Sequence, residues 1–187
     1  MSLILGFNLT NEVVLVGDSM AVKGSIRQSG FPKLVRRSGA ISGDCALGFT
    51  GDWDDIYAYL SLADRDAEAD YTSTEWQIKH RRRCYDLLRP ANWHEGDKCE
   101  PDLSILVAAP SGLYLVTNRG FVSQIPHYEV MGTGDEIIHY LYHTSPPPLG
   151  DPAGVIRWAT DAITAVGQVL YTVGPPVLVE VVSKEGS

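Results

Sequence analysis

The sequence predicts a layered α+β domain, and three observations predict it. Apolar runs of strand length fall in two blocks, residues 3–50 and 103–131, with a last run at 177–182. Each block is followed by two segments whose apolar residues recur at helical spacing. The blocks are not linked by strand–helix–strand alternation, so sheets and helices belong in separate layers and not in repeated βα units.

The elements follow in order. Residues 3–9 and 12–17 are Ile-, Leu- and Val-rich runs split by Thr10-Asn11, which reads as a hairpin. Their unbroken apolar character predicts strands buried on both faces. Residues 19–32 are polar and Gly-rich, a loop or irregular hairpin. Lys33–Arg37 is a short strand, and residues 40–50 hold another that Gly51 ends. Asp52, Asp54 and Asp55 then crowd the first turn of a helix over 52–66, where carboxylates suit the positive end of the helix dipole. A second helix over 74–88 stops before Pro90, and 90–101 is loop. Strands are expected at 103–109, 113–116, 121–125 and 128–131, with turns at Pro110-Ser111-Gly112 and Asn118-Arg119-Gly120. Helices follow at 134–144 and 152–171. The second of these carries Val155, Ile156, Ala159, Ala162, Ile163, Val166 and Leu170 on one face. The last strand is 177–182.

Bulk properties narrow the function classes. A chain of 187 residues suits one domain over 1–187. Net charge of −8 argues against a general nucleic-acid binder. No apolar stretch reaches membrane-spanning length, and the N-terminus lacks the basic region and cleavage site of a signal peptide. Cys45, Cys84 and Cys99 have no metal spacing, and their odd number reads as reduced thiols of a cytoplasmic protein. His139 and His143 stand four apart on one helix, but no third ligand accompanies them, and no metal or organic cofactor is expected. The basic run at 79–83 reads as a solvated helix face.

The chemistry-bearing candidates are few. Met1 precedes a small residue, so its removal would make Ser2 the chain terminus, with an α-amine of unperturbed pKa about 7.7–8.0 beside a hydroxyl. Such an amine can take the hydroxyl proton near neutral pH. Asp18 ends an apolar strand, where an unpaired carboxylate is costly, and Lys33 starts a strand of similar character. If the two meet, a partly desolvated Lys33 can favour an alkoxide-like nucleophile. Gly51 lies between a strand and a helix, where a backbone N–H can face a cleft and bind an oxyanion; its other reading is a turn that needs Gly for its dihedrals. Gly132-Thr133-Gly134 lacks the third Gly and the downstream acid of a dinucleotide loop, which leaves a strand-to-helix turn presenting the Thr133 hydroxyl.

The order of these pieces is specific. The series Ser2, Gly17-Asp18-Ser19, Lys33-Leu34, Phe49-Thr50-Gly51-Asp52 and Gly132-Thr133-Gly134 resembles proteasome β-type subunits, including the simpler bacterial proteasome-like N-terminal nucleophile hydrolases. The similarity is densest over residues 2–60 and extends through the order of elements to about 182. The resemblance implies a four-layer αββα sandwich of two antiparallel sheets. Helices 52–66 and 74–88 would lie outside one sheet, and 134–144 and 152–171 outside the other. It implies peptide-bond hydrolysis by Ser2 after loss of Met1, tuned by Asp18 and Lys33, with Gly51 as oxyanion donor and Thr133 steadying the amine. It places Ala21, Phe31, Val35, Phe49 and Trp53 around a shallow apolar substrate pocket. Its implied partners are a peptide or unfolded protein substrate, copies of the same chain in stacked rings, and an ATPase that feeds them.

Three departures from the family pattern stand out. The nucleophile is Ser in place of Thr, without the methyl that restricts the Thr rotamer. The stretch Leu170–Gly174 offers hydroxyls but not the carboxylate that many relatives place near the amine. No propeptide is expected before Ser2, so maturation is expected to need only Met1 removal. Two alternatives share the fold: an inert structural ring subunit and a small-molecule amidohydrolase.

Overall fold

Apolar runs without alternation need partners on both faces, and the first two strands have them. The computed structural model describes residues 2–23, 26–28, 32–39, 43–53, 55–57, 59, 73–75, 77–79, 82, 103–117 and 121–184. β1 (Leu3–Asn8) and β2 (Glu12–Asp18) form the expected hairpin around Thr10-Asn11. The short pair β3 (Ala21–Lys23) and β4 (Ile26–Gln28) makes the irregular hairpin expected within 19–32. β5 (Leu34–Gly39) and β6 (Gly43–Gly51) follow, then β7 (Leu103–Ala109), β8 (Gly112–Val116), β9 (Val122–Ile125) and β10 (Tyr128–Gly132). α1 (Asp135–Thr144), α2 (Pro152–Val169) and β11 (Val177–Ser183) complete the chain.

Two antiparallel sheets result, in the orders β10-β1-β2-β11 and β5-β6-β7-β8-β9. The two blocks seen in the sequence are not the two sheets. β1 and β2 recruit β10 and β11 from the far end of the chain, while β5 and β6 pair on through β7. Hydrophobic spacing reports which faces are buried but not which strand lies beside which, and so the pairing was not readable from it.

Period-two alternation sorts the apolar residues into three layers. Leu3, Leu5, Phe7, Val14 and Val16 point outward from the first sheet onto Ile138, Val155, Ala159, Ile163 and Val166 of α1 and α2. Ile4, Val13 and Leu15 point the other way and meet Leu34, Ala46, Leu106, Ala108 and Leu113 between the sheets. Leu47, Phe49, Ile105 and Val107 face the outer side of the second sheet, where Ile56 covers them with Trp53 and Tyr59. Residues 53, 55–57 and 59 are helical, and the Ile56 N–H donates to the Asp52 carbonyl at 3.0 Å, so the helix begins where the acidic residues predicted. Residues 74, 75, 77–79 and 82 are helical as well. The remainder of the expected helices 52–66 and 74–88, and the loop 90–101, lie outside the described residues. The order helix, sheet, sheet, helix is the expected sandwich.

Close approach of the sheets explains Gly48. A Cβ there would lie 2.7 Å from Cγ2 of Ile4 across the interlayer. On the helical side, the Tyr128 hydroxyl lies 2.8 Å from Nδ1 of His139, and the Tyr128 ring stacks on Tyr142 with centroids 3.6 Å apart. Burial, with smaller contributions from Tyr142 and Glu129, raises the Tyr128 pKa and keeps its proton on. This contact ties β10 to α1. Tyr128→Phe keeps the stacking and loses the hydrogen bond, so it should cost about 1 kcal/mol, or about 2–4 °C in Tm by calorimetry. An unchanged Tm would mean that the bond adds nothing. Among the described residues, no helix is long and apolar enough to cross a membrane.

Candidate active site

Several strand ends meet at one edge of the sandwich. β1 starts there at Ser2-Leu3 and β2 ends there at Asp18. Gly132 closes β10 beside Leu3, and Val177 opens β11 beside Asp18. From the second sheet come Lys33, just before β5, and the Thr50-Gly51 end of β6.

Ser2 is held on both sides. Its carbonyl accepts the Thr133 N–H at 2.8 Å. The next amide, that of Leu3, donates to Oδ1 of Asp18 at 2.8 Å. Gly132 makes the first contact possible. Its φ is +101°, and a Cβ there would lie 1.8 Å from the Ser2 carbonyl oxygen and 3.2 Å from Cγ2 of Thr50. Only a residue without Cβ lets β10 come this close. The same measurement places the end of β6 against the turn that carries Thr133.

Asp18 is the hub. Besides the Leu3 N–H, it accepts the Met20 N–H on Oδ2 at 3.0 Å. Nζ of Lys33 lies 2.8 Å from Oδ1 and 2.9 Å from Oδ2. Both side chains of this ion pair are 0% exposed. Thus one carboxylate oxygen takes both the Lys33 ammonium and the amide that follows Ser2. Burial lowers the Lys33 pKa from its ordinary 10.5, and the Asp18 charge and hydrogen bonds offset that only in part.

The Ser2 side chain differs from its surroundings. Its hydroxyl is buried and has no hydrogen-bond partner among the described residues. Buried hydroxyls nearly always have one, so this one is an exception.

The structure brings Ser2, Asp18, Lys33 and the Thr133 backbone together, with Gly51 one residue past Thr50 at φ +128°. The expected pocket residues are placed in part. Val35 and Trp53 are half-buried against the cluster that contains Phe49. Phe49 itself is fully buried, with its ring centroid 6.1 Å from that of Tyr59. Ala21 begins β3, and Phe31 lies outside the described residues. Among the described residues, no group of His, Cys, Asp and Glu could hold a metal ion.

Sequence reasoning missed the Leu3 and Met20 amides on Asp18, the fit of Gly132 to Ser2, and Tyr59 beside Phe49. Backbone donors leave no trace in composition. Gly132 was legible as a turn, but its neighbour across the sheet was not. Tyr59 had a weak signal, standing three residues after Ile56 on the same helical face.

With the strand order and the site in place, the class of architecture is defined: it is the N-terminal nucleophile hydrolase fold of proteasome-type β subunits. No protein-family model matches the chain, and no curated protein matches it. Solved structures do. The Anbu complex from Pseudomonas aeruginosa, described as a helical assembly, matches with TM-score 0.76 at 13% identity over 98% of this chain and 82% of that one. BPH from Thiobacillus denitrificans matches with TM-score 0.71 at 18% identity, covering 99% of this chain and 100% of that one. The same protein in complex with epoxomicin matches with TM-score 0.70 at 18% identity over 97% of this chain and 98% of that one. HslV from Trypanosoma brucei matches with TM-score 0.67 at 20% identity, covering 97% and 99%. At these identities the likeness establishes the fold.

Proposed function

We propose that this chain is a proteasome-like peptidase whose nucleophile is Ser2, exposed by removal of Met1, working in the cytoplasm inside a homo-oligomeric ring. The observation that carries this reading is the Ser2 hydroxyl: buried, without a partner among the described residues, on a residue held by the Thr133 N–H and followed by the amide that shares Oδ1 of Asp18 with the Lys33 ammonium. The fold it shares with BPH, a protein seen bound to epoxomicin, supports the reading.

In this mechanism the freed α-amine takes the Ser2 proton as Oγ attacks the peptide carbonyl carbon. Lys33 stabilises the developing negative charge on Oγ, and Asp18 holds Lys33 and the Leu3 amide in register. The Gly51 N–H receives the oxyanion of the tetrahedral intermediate. The Thr133 hydroxyl steadies the amine. The C–N bond then breaks, the proton passes to the leaving amine, and an ester on Ser2 remains. Water, deprotonated by the same amine, hydrolyses the ester and restores Ser2. Val35 and Trp53, half-buried over the fully buried Phe49, form the pocket for the residue before the scissile bond, and Ala21 and Phe31 belong to it by the family resemblance alone. Stacked rings of this chain enclose the sites and admit peptides or unfolded segments, fed by an ATPase. No metal or organic cofactor enters any step.

Intact mass before and after treatment with a peptide vinyl sulfone tests the reading. The expected result is a chain lacking Met1 that gains one adduct at Ser2, and no adduct in Ser2→Ala. Retention of Met1, or a processed chain that takes no adduct, would overturn it in favour of an inert ring subunit. Turnover of small amides without any peptide cleavage would instead favour an amidohydrolase.

A further inference from the structure

Ser19 is fully buried, follows the Asp18 hub and has no part in the mechanism above. Its contacts are unusual for a residue at a strand end. β2 and β11 pair in antiparallel register up to Asp18 opposite Val177, so Pro176 is next in line opposite Ser19. Proline has no N–H, and the backbone ladder cannot continue through it. The Ser19 side chain takes over: its hydroxyl donates to the Pro176 carbonyl at 2.7 Å. The Ser19 N–H reaches further along the segment, to the Gly174 carbonyl at 3.4 Å. Segment 173–176 is therefore clasped by Ser19 from β2. It is also seated on α2, where a Cβ at Gly167 would lie 3.0 Å from the Val173 carbonyl oxygen, and Val173 is fully buried.

The clasp bears on the site through one residue on each side. Asp18 precedes Ser19 and takes the Leu3 N–H and the Lys33 ammonium. Met20 follows it and returns its N–H to Oδ2 of Asp18. The backbone of Ser19 thus sets the angle at which the Asp18 carboxylate meets Leu3, Lys33 and Met20. A residue lacking the hydroxyl removes this part-buried bond to the Pro176 carbonyl and frees this turn to rotate.

We propose that Ser19 is a positioning residue: its hydroxyl locks the 173–176 segment to the Asp18–Met20 turn and so aims Asp18 at the Leu3 amide and Lys33. The catalytic consequence rests on the peptidase reading of Ser2, whereas the geometric one does not. A test needs a readout of each. The first is the amide proton shifts of Leu3 and Met20 by NMR, which report hydrogen bonds to Asp18 whether or not the protein is an enzyme. The second is labelling of Ser2 by a peptide vinyl sulfone, resolved into a binding constant and an inactivation rate constant.

Ser19→Ala is expected to move both amide protons upfield and to lower the inactivation rate constant about tenfold, the equivalent of one hydrogen bond, with the binding constant unchanged. Ser19→Thr, which keeps the hydroxyl, is expected to restore both. Trp158→Phe serves as a control, because it removes the indole hydrogen bond to the Ser145 carbonyl at 2.7 Å, far along the chain from the site. It should lower Tm without moving either amide or the labelling rate. Leu3 and Met20 shifts that stay at their wild-type values in a folded Ser19→Ala protein would overturn the proposal. A wild-type chain that takes no label, yet shows the amide shifts on Ser19→Ala, would reject the peptidase reading and leave the clasp standing.

Discussion

Lys33→Met is expected to lower peptide hydrolysis by at least about 10²-fold and to destabilise the fold by about 3–5 kcal/mol. The two effects have one origin. Nζ sits within 2.9 Å of both Asp18 oxygens, and neither side chain reaches solvent. Removing the ammonium leaves a carboxylate buried without its counter-charge, which is the costly way to break such a pair. The Leu3 and Met20 amides still donate to it, but they carry only partial charge. Removing charge from both partners separates stability from chemistry. Lys33→Met combined with Asp18→Asn relieves the unpaired carboxylate and leaves an amide oxygen for the Leu3 N–H, so urea unfolding should show stability partly recovered. On the peptidase reading hydrolysis should stay lost, because the Lys33 ammonium is gone. A double variant as active as the wild type would remove Lys33 from the mechanism.

The pH dependence follows from the same pair. Native Lys33 holds its proton less tightly than the unfolded chain does, because burial lowers its pKa below 10.5. Between the native pKa and 10.5 the unfolded state binds more protons, so the contribution of this group to stability rises with pH across that window. Its cost is fully present below the native pKa. On the peptidase reading activity runs the opposite way, since stabilising charge on the Ser2 oxygen needs the charged form. A pH–rate profile should fall on its alkaline side before pH 10.5, and Lys33→Arg, which stays charged, should move that limb upward.

How much of this was legible in the sequence differs from layer to layer. The continuous apolar runs at 3–9 and 12–17 announced strands covered on both sides, and the structure covers them with helices on one face and a sheet on the other. The helix start at Asp52, the ends of α1 and α2 and the Gly51 stop were also readable, because caps, prolines and glycines act locally. From the sequence alone, the meeting of Asp18 with Lys33 is only a possibility. Spacing of fifteen residues cannot say that two side chains share a site when they belong to different sheets. What joined them was the packing of the first sheet on the second, which sets Leu34, next to Lys33, against Ile4 and Leu15, a contact between layers that local pattern does not encode. The Ser19 clasp was hidden for a related reason: its partner is a carbonyl on a proline 157 positions away.

Gly132→Ala should be the most damaging glycine-to-alanine change among Gly48, Gly112, Gly132 and Gly167. The added carbon would stand 1.8 Å from the Ser2 carbonyl oxygen, far inside contact distance, and that neighbour is backbone that cannot swing aside like a flexible side chain. Either β10 or Ser2 must move. Movement of β10 is resisted by its register with β1 from Leu3↔Gly132 to Phe7↔Tyr128, so Ser2 yields and loses its bond from the Thr133 N–H. The backbone angle adds to the cost, because φ of +101° is a region L residues avoid, at about 1–3 kcal/mol. A nucleophile displaced by about 1 Å loses about 10²-fold in rate. The control is Gly112→Ala. Gly112 also has positive φ, at +138°, but sits where β8 follows the β7–β8 turn, and a Cβ there would meet only side-chain ends, the nearest that of Gln124 at 3.2 Å. Both variants should unfold earlier on heating, and only Gly132→Ala should lose vinyl sulfone labelling at Ser2. Equal labelling in the two would show that the approach of β10 supports the fold and leaves the nucleophile untouched.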